Sequence, residues 1–418
     1  MNTEKPTFSL HEDWVVVILG LGIIALSLSG IIVPKPTFSW TNGSELLDRL
    51  INPQNIQAIL GQFILVFITA ILGAILTGKS IKHLLFVFPA VYILTLFALL
   101  LAGNETVKTF NLEAVIFSLG IGLAISNFFK LPDWFRAALS TELYVKIGLV
   151  LLGTTVIFSD ILKAGSMGLI QSLVVVLSVW YFAFWLCKKM KIDAELTMMI
   201  SSAVSICGVS AAIATSGAIK GDSKKLSYVI SMVLITAIPM MVFMPYLASL
   251  MGLSQEVTGA WLGGSIDTTG AVVASGSLVG EEALKISTIV KFSQNVLLGI
   301  AAFAISIYWS YRKPDDESLA AEKPSLKVIW DRFPKFVLAF LAASLLFSFA
   351  VPEPTVAAVK ESLKSLQALW FALAFTSIGL ETNFKELFVH NSKKPFYAFI
   401  IAQGFNIIIT LLIALILF

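Results

Sequence analysis

The chain has 418 residues, 57% of them hydrophobic and 13% charged. A soluble domain carries roughly 25% charge, and here the apolar residues come in blocks long enough to cross a hydrocarbon core of about 30 Å; an ordinary soluble fold is excluded. The net charge of +3 gives no basis for a nucleic-acid partner, and only two cysteines, Cys187 and Cys207, both in or beside apolar segments, argue against a disulfide framework or a cysteine metal site.

In chain order, apolar runs between breakers predict spans near 14–32, 55–77, 83–102, 112–128, 143–159, 167–187, 227–250, 284–309, 334–350, 366–382 and 396–417. The first run is full-length with acidic flanks, so no cleavable signal is expected. Two further segments, 194–219 and 257–279, are apolar on average but polar in the middle. The first reads Ser201-Ser202-Ala-Val-Ser205-Ile-Cys207-Gly208-Val-Ser210, the second Gly263-Gly264-Ser265-Ile-Asp267-Thr268-Thr269-Gly270. The one long charged loop, 311–335, reads as a cytoplasmic linker. The fold class expected is an all-α polytopic membrane protein, with about eleven transmembrane helices plus two re-entrant or broken segments, arranged as inverted repeats.

The repeats are visible in the sequence. At an offset of 60 without gaps, Ser205-Ile206 falls on Ser265-Ile266, Ala211 and Ala214 on Ala271 and Ala274, Thr215 on Ser275, and Lys225-Leu226-Ser227 on Lys285-Ile286-Ser287. At an offset of 226, Gly153, Phe158, Asp160 and Ile161 fall on Gly379, Phe384, Glu386 and Leu387. Residues 111–250 then form one repeat, a-b-c-X-d, where X is the polar segment. Residues 257–417 form a second, permuted to X-d-a-b-c. Residues 1–110 hold three helices outside the repeat that could support a homodimer. Inverted repeats are a common plan for transporters, with the site at the midplane between them.

Parity bears on X. If both X segments crossed fully, they would run parallel, against inversion; two hairpins that return to their own sides restore it. Irregular backbone at that depth is allowed where it is buried in protein or lines a cavity. Charge placement agrees. With the N-terminus inside and the C-terminus outside, Lys188, Lys189 and Lys191 precede the first X and Lys220, Lys224 and Lys225 follow it, whereas the second X is flanked by Glu256, Glu281, Glu282 and Lys285. Hairpins are favoured, with 205 entering from inside and 265 from outside; the rival is a broken helix that crosses.

A Ser/Thr/Gly-rich break in a membrane helix exposes N–H groups, hydroxyls and a helix N-terminus, which bind a desolvated anion without a full counter-charge. Gly208 and Gly270 allow close backbone approach, and Ser205, Ser210, Ser265, Thr268 and Thr269 offer hydroxyls, beside Cys207. The bland alternative is tight helix packing by small residues. Asp267 is a carboxylate inside a membrane segment, a functional candidate by default, suited to bind Na⁺ or carry a proton, with helix capping as the alternative. Lys291 could meet an anionic solute or pair with Asp267, against snorkelling to an interface. Gln294 and Asn295 could extend a polar lining. Lys146 is expected to snorkel, and Glu381 lies at a span end. His11, His83 and His390 are scattered, and no Walker A, H-E-x-x-H or dinucleotide fingerprint occurs. No enzyme activity and no cofactor are expected, only Na⁺ or H⁺ coupling.

At these motifs the chain resembles the bacterial UPF0324 family, the YeiH-like putative sulfate exporters. The resemblance lies in Lys146-Ile-Gly-Leu-Val-Leu-Leu-Gly153, Ser205-Ile-Cys-Gly-Val-Ser-Ala211, Gly264-Ser-Ile266 with Val272-Val-Ala-Ser-Gly276, and Lys291, and residues from about 110 to 415 fit. It implies a fold like that of the bile-acid symporter and cation/proton antiporter superfamily. The family usually reads Ser-Ile-His-Asp at Ser265-Ile266-Asp267-Thr268, Gln at Ala271 and Arg at Gln294. The expected function is a secondary active transporter, in the bacterial inner membrane, exporting a small anion such as sulfate, sulfite or an organosulfonate. The alternatives are a Na⁺- or H⁺-coupled carrier of an organic-acid or neutral solute using Asp267, and, in another class, a membrane-embedded enzyme or scaffold.

Overall fold

A computed structural model describes residues 9–109, 113–312, 327–383 and 393–418. In chain order the helices are α1 (Glu12–Leu28), α2 (Gly43–Ile51), α3 (Pro53–Thr77), α4 (Ile81–Ala102), α5 (Glu105–Thr109), α6 (Ala114–Phe128), α7 (Asp133–Ala138), α8 (Thr141–Leu152), α9 (Phe158–Lys189), α10 (Ala194–Ser205), α11 (Val209–Ile219), α12 (Ser223–Leu250), α13 (Gln255–Ser265), α14 (Thr269–Val279), α15 (Glu281–Arg312), α16 (Lys327–Arg332), α17 (Phe336–Leu345), α18 (Glu353–Glu381) and α19 (Lys393–Leu417). Each of the expected spans falls on one of these helices. The protein is an all-α, multi-pass membrane protein. Among the described residues eight helical segments are long and apolar enough to cross a bilayer, and no β-strand forms; one isolated bridge joins Trp40 to Asn104. Phe384, Glu386, Leu387, His390 and most of the 311–335 linker lie outside the described residues.

Side-chain distribution in α3 shows why these helices suit lipid. Its outward positions carry large aliphatics at four-residue spacing, Ile56, Leu60, Ile64, Ile68 and Leu72, all exposed. Its buried positions are mostly small or polar: Ala58, Gln62, Thr69, Ala70, Gly73 and Ala74. In water this polarity would be reversed; in hydrocarbon, small residues let helices approach and polar ones bond across them.

The chain divides into two compact units, and these cut across the sequence repeats. The first comprises the described parts of Met1–Phe158 and Lys335–Asn383, the second those of Ser159–Pro334 and Phe384–Phe418. Elements a and b of both repeats therefore go to the first unit, and c, X and d of both to the second.

In the first unit α6 crosses α18 where Gly122 meets Gly379. A Cβ on Gly122 would lie 2.5 Å from the Thr376 carbonyl oxygen, and one on Gly379 would lie 2.5 Å from that of Leu119. Ser126 Oγ beside them donates to the carbonyls of Gly379 (2.9 Å) and Thr382 (2.6 Å), so the crossing is closed by hydrogen bonds as well as contact. Lys146 is paired at the start of α1. Its Nζ lies 3.1 Å from Glu12 and 3.0 Å from Asp13, and Asp13 also accepts from the Lys335 amide at 3.0 Å. These carboxylates lie more than 130 positions from Lys146 in sequence.

The second unit is built from α9, α12, α15 and α19 around the two polar segments. α13 lies flat on α15 because Gly259 and Gly263, one turn apart, leave no side chain between them; a Cβ on Gly263 would stand 2.5 Å from the Ser287 carbonyl oxygen. Gln171 of α9 donates to the Ala260 carbonyl at 2.7 Å, and Trp261 Nε1 donates to the Ile407 carbonyl at 2.9 Å.

Candidate functional site

Each polar segment consists of two short helices that double back. In the first, α10 is capped by Asp193, whose carboxylate accepts from the amides of Glu195 and Leu196. At the far end of the segment Asp222 caps α12, and its amide donates to Glu195 at 3.2 Å. Lys225 Nζ reaches both Asp193 (2.7 Å) and Glu195 (3.1 Å). Entry and exit of the segment therefore meet, and the segment is a hairpin. In the second, Ser254 caps α13, and Gly280, just past α14, packs against Gln255, whose Oε1 accepts from the Ala283 amide at 3.4 Å. This is a hairpin too, and neither segment is a crossing broken helix. Their internal boundaries coincide at the offset of 60: α10 ends at Ser205 and α13 at Ser265, while α11 and α14 start at Val209 and Thr269.

The two tips touch. Gly208 adopts φ +59°, a conformation that a side chain resists. A Cβ there would also fall 2.9 Å from Cβ of Asp267 and 2.6 Å from Val233. At this junction α10 and α13 present carbonyl ends and α11 and α14 present amide ends. The former attract a cation and the latter an anion.

Lys291 takes the carbonyl side. It is 1% exposed, and its Nζ donates to Ile206 O (2.9 Å), Ile266 O (2.8 Å) and Gln294 Oε1 (2.8 Å). An ammonium has three hydrogens, and all three are used. Lys291 neither snorkels nor stands free for a solute, as the sequence suggested it could; it ties both tips together, and it acts on Asp267 through its charge rather than through a direct ion pair. Gln294 Nε2 adds bonds to the carbonyls of Ser205 (2.9 Å) and Gly264 (3.3 Å). From α19, Gln403 donates to the Ser265 carbonyl at 2.8 Å, and Asn406 to the carbonyls of Val204 (3.0 Å) and Ser265 (3.2 Å), with Thr410 holding Asn406 at 2.9 Å. The unwound backbone is thus satisfied by side chains, as buried carbonyls in hydrocarbon must be.

Asp267 takes the amide side, two residues before α14. It is 2% exposed, and its Oδ2 has no hydrogen-bond partner. Ser265 Oγ and Asn295 Oδ1 are likewise buried without partners. Thr268 caps α14 through its hydroxyl, which accepts from the Ala271 amide at 3.3 Å, and Thr269 Oγ1 accepts from Asn295 Nδ2 at 3.4 Å. The capping role considered for Asp267 thus belongs to Thr268. Both threonines are only half-buried.

Of the residues singled out from sequence, Ser205, Cys207, Gly208, Ser265, Asp267, Thr268, Thr269, Gly270, Lys291 and Asn295 belong to the joined tips and to the stretch of α15 beside them. The Ser205 hydroxyl is spent inside its own helix, donating to Ser201 O at 2.7 Å. Cys207 packs with Val176, Ile206, Ala211 and Leu298. Ser210 is exposed. The sequence reading passed over Gln171, Gln403, Asn406 and Thr410. Their signal was present, since each is a polar side chain inside an apolar span.

A model of the family described as conserved hypothetical protein 698 matches residues 86–398. A UPF0324 membrane protein of Rhodopirellula baltica is 40% identical over 369 residues, 86% of this chain and 68% of that protein. This chain belongs to the UPF0324 family of membrane proteins. Two further members, from Nitratidesulfovibrio vulgaris, are 37% and 36% identical over 354 and 360 residues. These matches cover 82% and 83% of this chain but 60% and 62% of the relatives, so the chain spans about three fifths of their length. No solved structure matches. Within this UPF0324 protein, the matched region contains both hairpins and all of α15.

Proposed function

We propose that the protein is a secondary active transporter of a small anion in a bacterial inner membrane, and that the joined hairpin tips are its site. The observation that carries this reading is the unpartnered carboxylate oxygen of Asp267 beside two helix N-termini, in a junction where every neighbouring carbonyl bond named above is supplied by a fixed side chain. The anion lies at the amide ends of α11 and α14, touched by the hydroxyls of Ser265, Thr268 and Thr269. Sulfate, sulfite or a small organosulfonate fits donors of this kind, and the resemblance favours export. Lys291 contributes its charge from behind the tips.

Asp267 sets the coupling. An ionised carboxylate repels an anion at this distance, so binding of H⁺ or Na⁺ at Asp267 and binding of the anion are linked. The inverted reading of the repeats places hairpin α10–α11 on the cytoplasmic side and α13–α14 on the external side, with the N-terminus inside. A second reading rests on the same oxygens. Asp267 Oδ2, Asn295 Oδ1 and Ser265 Oγ are hard acceptors suited to a cation, and the solute is then an organic acid or a neutral molecule.

The test is flux in proteoliposomes under imposed pH and Na⁺ gradients. Anion uptake or release that falls to background in Thr268→Val with Thr269→Val, and loses its gradient dependence in Asp267→Asn, supports the first reading. Flux of an organic acid but not of sulfate, sulfite or sulfonates favours the second. Turnover of a substrate in detergent with no flux in vesicles would sink both and favour a membrane enzyme.

A further inference from the structure

The second unit also carries a groove of about 350 Å³ on its membrane-spanning helices. Val176, Trp180 and Phe184 form one wall on α9, Ala301 and Tyr308 the other on α15, and Met198 of α10 lies between. The two small residues, Ala301 and Ala304, are what open it. Nearly all of its lining is apolar or aromatic. The two walls run side by side in the same direction: Gly168 faces Val290 and Ser293, and Val176 packs with Leu298 and Ala302. One end of the groove therefore lies against Cys207 and Ile206, which pack with the same residues, and the other opens toward the C-terminal end of α9.

That open end is cationic. One turn beyond Phe184, Lys188 Nζ sits 4.6 Å from the centre of the Phe184 ring, and Lys189 Nζ sits 4.9 Å from that of Trp185. Both lysines are exposed, and they end a helix whose C-terminus favours positive charge. An apolar channel with an aromatic collar and two cations at one end is the negative image of a single amphiphile: an acyl chain with an anionic headgroup at the interface.

We propose that this groove binds an anionic phospholipid, its chain between α9 and α15 and its phosphate on Lys188 and Lys189. The chain lies on Met198 of α10 and reaches the residues that back Ile206 and Cys207, so occupancy steadies the first hairpin. A soluble anion lacks the chain, and a zwitterionic lipid lacks the net charge; the site selects the combination.

The experiment uses the full chain in detergent, titrated with phosphatidylglycerol or phosphatidylcholine and read by thermal shift and by native mass spectrometry. Phosphatidylglycerol is expected to raise the midpoint and remain bound, and phosphatidylcholine to do so weakly. Each lysine near an anionic surface gives about a five-fold gain in affinity, so Lys188→Gln with Lys189→Gln should weaken phosphatidylglycerol about 25-fold. Ala301→Trp fills the groove and should remove binding of both lipids while leaving the lysines intact. Should Ala301→Trp fail to fold, Ala304→Leu provides the same occlusion with a smaller side chain. Equal stabilisation by the two lipids, an unaltered phosphatidylglycerol shift in the lysine variant, or a groove already covered by a second copy of the chain in lipid-free detergent would each overturn the assignment.

Discussion

The two hairpins share a plan and differ in content. Both consist of a helix, a short break and a second helix, with boundaries at the same spacing, and both offer carbonyls to Lys291 and Gln294. At the tip of the first stand Cys207 and Gly208, neither of which carries a charge. The corresponding residues of the second are Asp267 and Thr268. The first tip therefore acts as a mould: Gly208 provides the space into which Asp267 fits, and its carbonyls accept bonds. The second tip carries the one carboxylate of the pair, buried at Asp267. Divergence within a shared scaffold thus separates the residues that join the tips from the one residue whose carboxylate oxygen is left without a partner.

Lys291 is common to both hairpins, and its loss should have the largest effect. Lys291→Met leaves the Ile206 and Ile266 carbonyls without that donor in a buried setting, at a cost of roughly 3 kcal/mol or more. A large fall in thermal midpoint is expected together with loss of flux; a midpoint unchanged from wild type would mean that Lys291 does not tie the tips. Gly208→Ala should come next, at about 1–3 kcal/mol, because of its positive φ and its contact with Asp267. A well-folded Gly208→Ala protein with normal flux would break the mould description of the first tip.

Asp267→Asn sharpens the comparison from the other side. Asparagine keeps the shape of a side chain whose Oδ2 has no hydrogen-bond partner, so stability should stay near that of the wild type while gradient dependence disappears. A protein that loses stability here would make Asp267 a structural residue. Asn406→Leu removes two bonds to the tip carbonyls and should cost about 1–3 kcal/mol, detectable as a lower midpoint with the gradient response retained.

The smallest expected effect is at the hairpin mouths. The amides of Lys225 and Lys224 hold the Asp222 carboxylate below its ordinary range. Its stabilising contribution is therefore present above the unfolded value of about 3.9 and is lost as the pH falls through the lower folded value. The second hairpin is capped by Ser254, which does not titrate. Protection factors for amide exchange near 222–226, corrected for the intrinsic pH dependence of exchange, should fall in acid while those near 254–258 stay constant; an equal fall would remove the distinction between the mouths.

Much of this architecture was legible from the sequence. The apolar runs marked the helices, and the offset of 60 marked both breaks. The lysines around the first polar segment already favour a hairpin. Hydropathy could not reveal the direction of Lys291, because an ammonium near a span end can find an interface or a set of carbonyls, and only the folded tips supply the latter. The partners of Lys146 were hidden for the same reason, Glu12 and Asp13 being distant in sequence. Gln403 and Asn406 looked like minor interruptions of an apolar helix, since the carbonyls they serve belong to segments 138 and 202 residues away. Nor do the compact units follow the repeats, because like elements from the two halves pack together.

The most direct test of a solute site at the second tip is equilibrium binding across pH and Na⁺. Thermal shifts with sulfate, sulfite and a small organosulfonate would be recorded for the wild type and for Asp267→Asn, at pH 6 and 8, with and without Na⁺. The account predicts that at least one anion stabilises the wild type with a strength set by pH or Na⁺, and that Asp267→Asn binds the same anion independently of both. Binding that keeps its pH or Na⁺ dependence in Asp267→Asn would contradict it.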